Sequence, residues 1–419
     1  MKWDNISLGE VIDVKHGYPF KSEFFSDTGD LILLSPGNCH EAGGLKLKGD
    51  KEKYYIGEYP EEYLLSEGEI IVVMTDLINT APILGGAFLI PESNRFLHNQ
   101  RLGLVHVTNE KRIDRGFLLY LLNSSEYRGQ IRGSASGATV RHTAPNRIKE
   151  CRLRIPKDIS YQKKVGDLLS AYDDLIDNNR RRMALLEDSA RRLYREWFVR
   201  LRFPGHEHTP IVDGVPQGWE RKTLGEVCSS GNGIQTGPFG SQLHQADYSE
   251  TGVPVVMPKD IIDFRVSETS IARIPEDLAN HLGRHRMVIG DTVYGRRGDI
   301  GRRAYIGKRQ QGWFCGTGSL RIRPDPVAIN PLYLFDFLGA PATVGDITNR
   351  AKGSTMLNLS AAALKPLPVL VPLRSLQDLY AEQVAQVREM LDVLDEQNQK
   401  LRQARDLLLP RLMNGELAV

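Results

Sequence analysis

Residues 165–197 read VGDLLSAYDDLIDNNRRRMALLEDSARRLYREW. Val165, Leu169, Tyr172, Ile176, Asn179, Met183, Leu186, Ala190, Leu193 and Trp197 follow one another in steps that alternate four and three. That alternation is a heptad seam, the pattern that keeps one stripe of a helix facing a partner helix. After Gly166 no proline or glycine interrupts it, and charged residues such as Arg180, Arg181 and Arg182 fill the flanks. The same alternation returns at Tyr380, Val384, Val387, Leu391, Leu394, Asn398, Leu401, Arg405, Leu408 and Leu412. The spacing predicts two coiled-coil helices of roughly 33 residues, about 50 Å each at ~1.5 Å per residue. Arg405 on the second seam and Pro410 near its end are expected to weaken its last turns.

The seam also implies a direction. Within the alternation Asn179 falls at a d position and Asn398 at an a position. In an antiparallel pair, a layers face d layers. Setting Asn179 opposite Asn398 then gives every seam residue a partner, from Trp197 with Tyr380 to Val165 with Leu412. A buried asparagine pair fixes register, because a slipped alignment leaves both amides without a partner. Asn179 and Asn398 are expected to set the register of an antiparallel pair.

Outward from the helices, the chain repeats itself. The separation between Trp3 and Trp219 also aligns Leu8-Gly9-Glu10-Val11 with Leu224-Gly225-Glu226-Val227. It returns downstream at Ile113 and Ile329, Leu118 and Leu334, Gly137 and Gly353, Thr139 and Thr355, and Pro156 and Pro372. Between these blocks the separation drifts, as at Gly68 and Gly290. Shared ends around a divergent middle imply one scaffold carrying two different surfaces. Each copy opens with short β-like runs punctuated by Gly, Pro, Asn and Asp: Leu31–Leu34, Ile70–Met74 and Ala87–Ile90, then Val253–Met257, Thr292–Tyr294 and Leu320–Ile322. Each also holds a helix-like segment, Phe117–Leu122 or Leu332–Leu338. The expected fold class is α+β: two α/β domains joined by two long antiparallel helices, related by an internal pseudo-twofold repeat. The expected division is a first domain over 1–157, a central helix over 158–203, a linker over 204–218, a second domain over 219–373 and a C-terminal helix over 374–415.

Composition narrows the class. The chain has 419 residues, 41% hydrophobic and 25% charged, which excludes a disordered or collagen-like polymer. No apolar run reaches the ~18 residues of a membrane span. The opening MKWDNISLGEV lacks the apolar core of a secretory signal. The four cysteines form no CxxC pair, so the expectation is a cytoplasmic protein without a zinc ribbon or a membrane. Net charge is only +2, so what matters is where the charge sits. Two basic windows stand out, Arg128 to Lys157 and Arg284 to Arg309.

The junction LYREWFVRLRFPGHE at 193–207, followed by VPQGWERKTLGEV at 215–227, carries a family resemblance. So do the lead-in from Ile155-Pro156 to Gln162 and the run LLSAYDDLIDNN at 168–179. Together with the two-copy layout, the chain resembles the specificity subunit of type I restriction-modification enzymes over essentially its whole length. The resemblance implies two target recognition domains, each reading half of an interrupted double-stranded DNA site, on a chain that is not a catalyst. It implies two methyltransferase subunits for adenine N6 methylation and, where cleavage accompanies it, two restriction subunits. S-adenosylmethionine, ATP and Mg would belong to those partners, and this chain would bind no cofactor. Exposed apolar residues on the helices and the linker are expected to form the two partner sites.

Candidate DNA-contacting residues follow from side-chain chemistry. The loop Tyr294–Arg303 sets Arg296, Arg297, Arg302 and Arg303 among glycines, which let a backbone follow a groove while arginine reaches guanine or phosphate. The matched loops at 133–142 and 351–358 offer Arg132, Ser136, Thr139 and Arg141, and Lys352, Ser354 and Thr355. Gly237-Pro238-Phe239-Gly240-Ser241-Gln242 echoes Tyr18-Pro19-Phe20-Lys21-Ser22, adding Gln242 and Lys21. Trp197 reads as core by its seam position, and His206-Glu207-His208 as an exposed loop instead of a metal motif. A methyltransferase or nuclease in its own right is disfavoured: there is no Pro-Pro dipeptide to hold a flipped adenine, and no glycine-rich loop has cofactor or phosphate spacing. The remaining alternative is a protein-binding scaffold without DNA specificity. If helix length sets half-site spacing, inserting one heptad in each helix lengthens the spacer by about three base pairs, at ~1.5 Å per residue and ~3.4 Å per base pair. Methylation-site mapping reads this directly, and an unchanged spacer refutes the ruler.

Overall fold

The computed structural model describes residues 2–240, 242–298, 300–351 and 358–419. It divides into two compact units, one formed by residues 1–180 with 395–419, the other by residues 181–394.

In the first unit, strand Trp3–Ser7 pairs antiparallel with Arg152–Pro156, bringing the start of the domain onto its end. Inside that closure lies a four-stranded antiparallel sheet in the order Ile12–His16, Leu102–Val107, Ile70–Val73, Ala87–Leu89. Ile70–Val73 is buried along its whole length, as expected of a continuous β-branched run between two layers. One of its faces meets helices Arg115–Leu121 and Ser125–Ser134. The other meets a smaller sheet that contains Ile32–Leu33 and Phe96–Leu97. Asp114 caps the first of those helices, its Oδ1 accepting from Phe117 N at 2.9 Å.

The second unit repeats this plan. Glu220–Thr223 pairs antiparallel with Pro368–Val371. The main sheet runs Ile234–Thr236, Ser319–Ile322, Thr292–Gly295, Arg303–Tyr305. Helices Pro331–Phe337 and Pro341–Arg350 cover it, the first capped by Asn330. A three-stranded sheet, Ala272–Ile274, Val253–Val256 and Phe314–Cys315, carries the one parallel pairing of this unit among the described residues. The expected strands and helix-like segments are thus present to within a residue or two.

The central helix spans Ile159–Tyr194 and the C-terminal helix Arg374–Met413. In the first unit, Val165 and Leu169 share a core with Leu412 and Met413. In the second, Met183 packs on Leu391 and Leu394, and Trp197 lies 6.0 Å from Tyr380 between ring centroids. The start of each helix therefore meets the end of the other, which is antiparallel. Asn179 Nδ2 donates to Asn398 Oδ1 at 3.0 Å, and both side chains are buried.

Matching glutamines root the two helices. Gln162 Oε1 accepts from Asp114 N at 2.8 Å, and its Nε2 donates to Pro156 O at 2.7 Å. Gln377 Oε1 accepts from Asn330 N at 2.8 Å, and its Nε2 donates to Pro372 O at 2.7 Å. Arg405 does not break the seam, because it pairs with Asp173, which also accepts from the Tyr120 hydroxyl at 2.7 Å. The helix also runs past Pro410 to Met413. The central helix ends differently from its heptad pattern: a π turn at Arg195–Val199 follows Tyr194 and adds a residue to the turn. Tyr194 and Phe198 are buried there while Trp197 is half-buried. The linker folds into a hairpin, Ile211–Val212 with Val215–Pro216, around Asp213 and Gly214 at positive φ. No helix among the described residues is long and apolar enough to cross a membrane.

Replacing Asn179 and Asn398 together by cysteine should give an intrachain disulfide on mild oxidation, seen as a faster-migrating band on non-reducing gels. Failure to cross-link, or cross-linking only between chains, would contradict this register.

Candidate nucleic-acid interface

The basic window from Arg284 to Arg309 is largely spent inside the second unit. Arg286 donates to Gly312 O at 2.9 Å and to Asn280 at 2.8 Å, and it pairs with Glu276. Arg309 pairs with Glu268 at 2.7 Å. Arg303 is only 4% exposed. Its Nε donates to Phe335 O at 3.0 Å, and its guanidinium lies 4.7 Å from the Phe264 and Phe335 rings alike. Burial drives its pKa down to about 10, against the opposing pull of Asp336. Arg303 is therefore withdrawn from the DNA-contacting set: it sits on a strand whose neighbours, Ala304 and Tyr294, are core. Gly339 exists to admit it, since a Cβ there would lie 1.6 Å from Arg303 Nη2.

Arg296 is also mostly enclosed, at 6% exposure. Its Nε and Nη2 donate to Asn358 Oδ1 at 3.2 and 3.0 Å, and its guanidinium covers one face of the exposed Phe239 ring at 5.6 Å. It shapes the loop more than it reaches out of it. Arg297 is exposed, its backbone bridged to Asn358, and Arg302 is half-buried. Lys352, Ser354 and Thr355 lie outside the described residues.

In the first unit, residues 135–142 form a turn after helix Ser125–Ser134, whose last turn holds Arg132. Ser136 and His142 bridge antiparallel, and Arg141 donates to Gly137 O at 3.2 Å and to Arg132 O at 3.1 Å. Ser136 and Thr139 are exposed, while Arg132 and Arg141 are half-buried. Gly137, at φ 92°, is required: a Cβ would lie 2.0 Å from Val140 O. The turn thus presents hydroxyls at its tip and spends Arg141 on its own carbonyls.

Lys21 is exposed and only loosely paired with Glu23 at 3.9 Å. Gln242 accepts from Arg284 at 3.1 Å. The two segments that hold them align one residue out of the expected phase. Gly17 N donates to Leu102 O, as Gly237 N donates to Ser319 O, so glycine matches glycine. Phe20 is consequently core while Phe239 is 55% exposed. Sequence reading passed over Phe239, although a phenylalanine between Pro238 and Gly240 at a loop tip was a signal. His206 Nδ1 donates to Phe203 O at 2.8 Å within an exposed turn. No group of three or more His, Cys, Asp or Glu among the described residues could hold a metal ion.

A family model described as the type I restriction modification DNA specificity domain matches residues 1–188. The chain is 22% identical over 434 residues to the type I restriction enzyme EcoBI specificity subunit of Escherichia coli, covering 99% of this chain and 86% of that one. It is 22% identical over 312 residues to the MjaIX specificity subunit of Methanocaldococcus jannaschii, covering 72% of this chain and 69% of that one. A crystal structure of the type I restriction-modification S subunit from M. genitalium has the same fold, with a TM-score of 0.58 at 16% identity, covering 98% of this chain and 96% of that one.

The two arginine environments separate in a stability measurement. Gly339→Ala, which crowds buried Arg303, should cost roughly 1–3 kcal/mol, a fall of about 2–4 °C in melting temperature per kcal/mol. Arg297→Ala should change stability by no more than about 0.5 kcal/mol. Calorimetry on the two variants checks both.

Proposed function

We propose, from the family-model match over residues 1–188 and the similarity to type I restriction enzyme specificity subunits, that the chain is such a subunit and reads a bipartite, interrupted double-stranded DNA site with one repeat per half-site. In this reading the chain performs no chemistry. It docks two methyltransferase subunits that modify adenine N6, and two restriction subunits join where cleavage occurs. The observation that carries the reading is the repeat itself. Closing strand pair, main sheet, covering helices and rooting glutamine recur in both units, while the loops between them differ. A conserved frame with divergent loops is what two different sequence readers on one chain require.

Each repeat supplies exposed groups of the right kind. In the first these are Lys21, Ser136 and Thr139, with Arg132 and Arg141 shaping the turn behind them. In the second Arg297 leads, with half-buried Arg302 on the same loop and half-buried Gln242 on a separate one; Lys352, Ser354 and Thr355 remain candidates by chemistry alone. The partner sites have support of the same kind. Leu175 and Met390 occupy equivalent helix positions, counted from Gln162 and Gln377, and are 51% and 44% exposed. Two matching apolar positions fit two copies of one partner.

Arg297→Ala in the assembled complex should weaken binding to the cognate duplex and lower the slope of log affinity against log salt by about 0.9, the loss of one phosphate contact. An unchanged slope with unchanged affinity would remove Arg297 from the interface. Absence of any salt-dependent, site-specific binding by the wild-type complex would leave the scaffold reading instead.

A further inference from the structure

The hairpin Ile261–Ile262 with Arg265–Val266 turns through Asp263 and Phe264, both at positive φ (47° and 60°). Such two-residue turns normally take Asn-Gly or Asp-Gly, because a bulky side chain is unfavourable in the left-handed region. Backbone of this kind persists where surrounding contacts hold it, and it marks sites where that geometry is used.

The contacts here are specific. The Phe264 ring is flanked by two guanidiniums, Arg191 of the central helix at 5.3 Å and Arg303 of the main sheet at 4.7 Å. The adjacent Arg265 pairs with Glu187, one helical turn before Arg191, and both side chains are largely shielded from water. The C-terminal helix grips the same region: Tyr380 donates to Asp336 at 2.8 Å, and Arg388 donates to Asp336 at 3.0 Å and stacks on Phe335 at 4.2 Å. Phe335 is the residue on which Arg303 is bedded. Arg303 begins the strand paired with Thr292–Gly295, which runs directly into Arg296 and Arg297. One strand pair thus connects the hairpin tip to the candidate reading loop.

The first unit builds the matching hairpin differently. Each hairpin follows a one-turn helix closed the same way, by Asn38 accepting from Ser35 N at 3.0 Å and by Asp260 accepting from Met257 N at 2.9 Å. In the first, Cys39 bridges Leu45 and the tip holds Gly43 and Gly44 at positive φ. Glycine adopts that conformation without strain. The strained, aromatic version belongs to the second unit.

We propose that the Ile261–Val266 hairpin is a strut that holds the second repeat's reading sheet on the helix pair, with Phe264 as its positioning residue, so that half-site spacing is enforced through it. The proposal rests on the half-site reading given above.

The test uses the full chain with its methyltransferase subunits and three duplexes: the mapped site, and the same site with its spacer shortened or lengthened by one base pair. Methylation rates are compared for wild type, Phe264→Asn, Phe264→Tyr and Glu187→Gln. Asparagine tolerates the left-handed backbone, so Phe264→Asn removes the ring and leaves the turn. The expected result is a rate on the natural site within about threefold of wild type, with spacer discrimination reduced about tenfold, the scale of a desolvated cation–π contact. Phe264→Tyr should restore discrimination, and Glu187→Gln should reduce it in part. Unchanged discrimination in both Phe264→Asn and Glu187→Gln overturns the strut, as does equal loss of methylation on all three duplexes in both. If the wild-type complex accepts every spacer equally, the half-site reading fails and not the strut. Hydrogen exchange then decides: Phe264→Asn should speed exchange at Thr292–Gly295 at least about tenfold, and unchanged exchange overturns the proposal.

Discussion

Each of the two long helices carries a single apolar stripe, and each stripe needs the other helix. The helices span 36 and 40 residues, too long for either α/β domain to cover. Left in water, the stripes would forfeit about 25 cal/mol for every Å² of apolar surface exposed. Burial alone would accept several registers, because leucine meets leucine in many alignments. The asparagine pair removes that freedom. Asn179 and Asn398 are buried and satisfy each other at 3.0 Å, so a one-heptad slip strands two amides in an apolar seam. Gln162 and Gln377 do the same job at the roots, tying each helix start to backbone groups of its own α/β domain.

What was legible in the sequence was whatever has a period or a repeat. The four-three alternation marked the helices, the asparagine phases marked their direction, and short β-branched runs marked strands such as Ile70–Val73. Departures came where one residue's surroundings outweigh its type. The π turn at Arg195–Val199 shifts burial from the heptad position Trp197 to Tyr194 and Phe198, because Phe198 gains Tyr333 at 4.7 Å and Tyr380 at 5.0 Å. The Asp213-Gly214 hairpin had ordinary turn chemistry and could have been read. The Asp263-Phe264 hairpin could not, since phenylalanine is no turn former and its partners lie on other elements.

The site was legible only in part, for an electrostatic reason. Sequence reports the sign of a charge but not which side of the surface it lies on. Arg128, Arg303 and Arg321 look like surface cations and are buried. Each donates to backbone carbonyls: Arg128 to Pro82, Arg303 to Phe335, Arg321 to Asn232 and Arg286. Arginine suits this role because its planar fork carries five donors and is weakly hydrated for a cation. A basic window is therefore a poor guide to a DNA surface when its arginines also build the fold. Exposure must be added before Arg297 can be told from Arg303.

These buried polar groups share one logic. Replacing a buried polar pair as a whole, such as Asn179 with Asn398, by apolar residues of similar volume would cost less desolvation and could leave the protein more stable. Such replacements would also leave the helix register, the helix roots and the seat of the second main sheet less defined. Hydrophobic contacts are nearly indifferent to a shift of an ångström, whereas hydrogen bonds at 2.7–3.0 Å are not. A chain proposed to carry two reading surfaces gains more from that intolerance than from extra stability. The same reasoning explains why the loops are free to diverge. With register and roots fixed by a few hydrogen bonds in the frame, a loop can change without altering the scaffold that carries it.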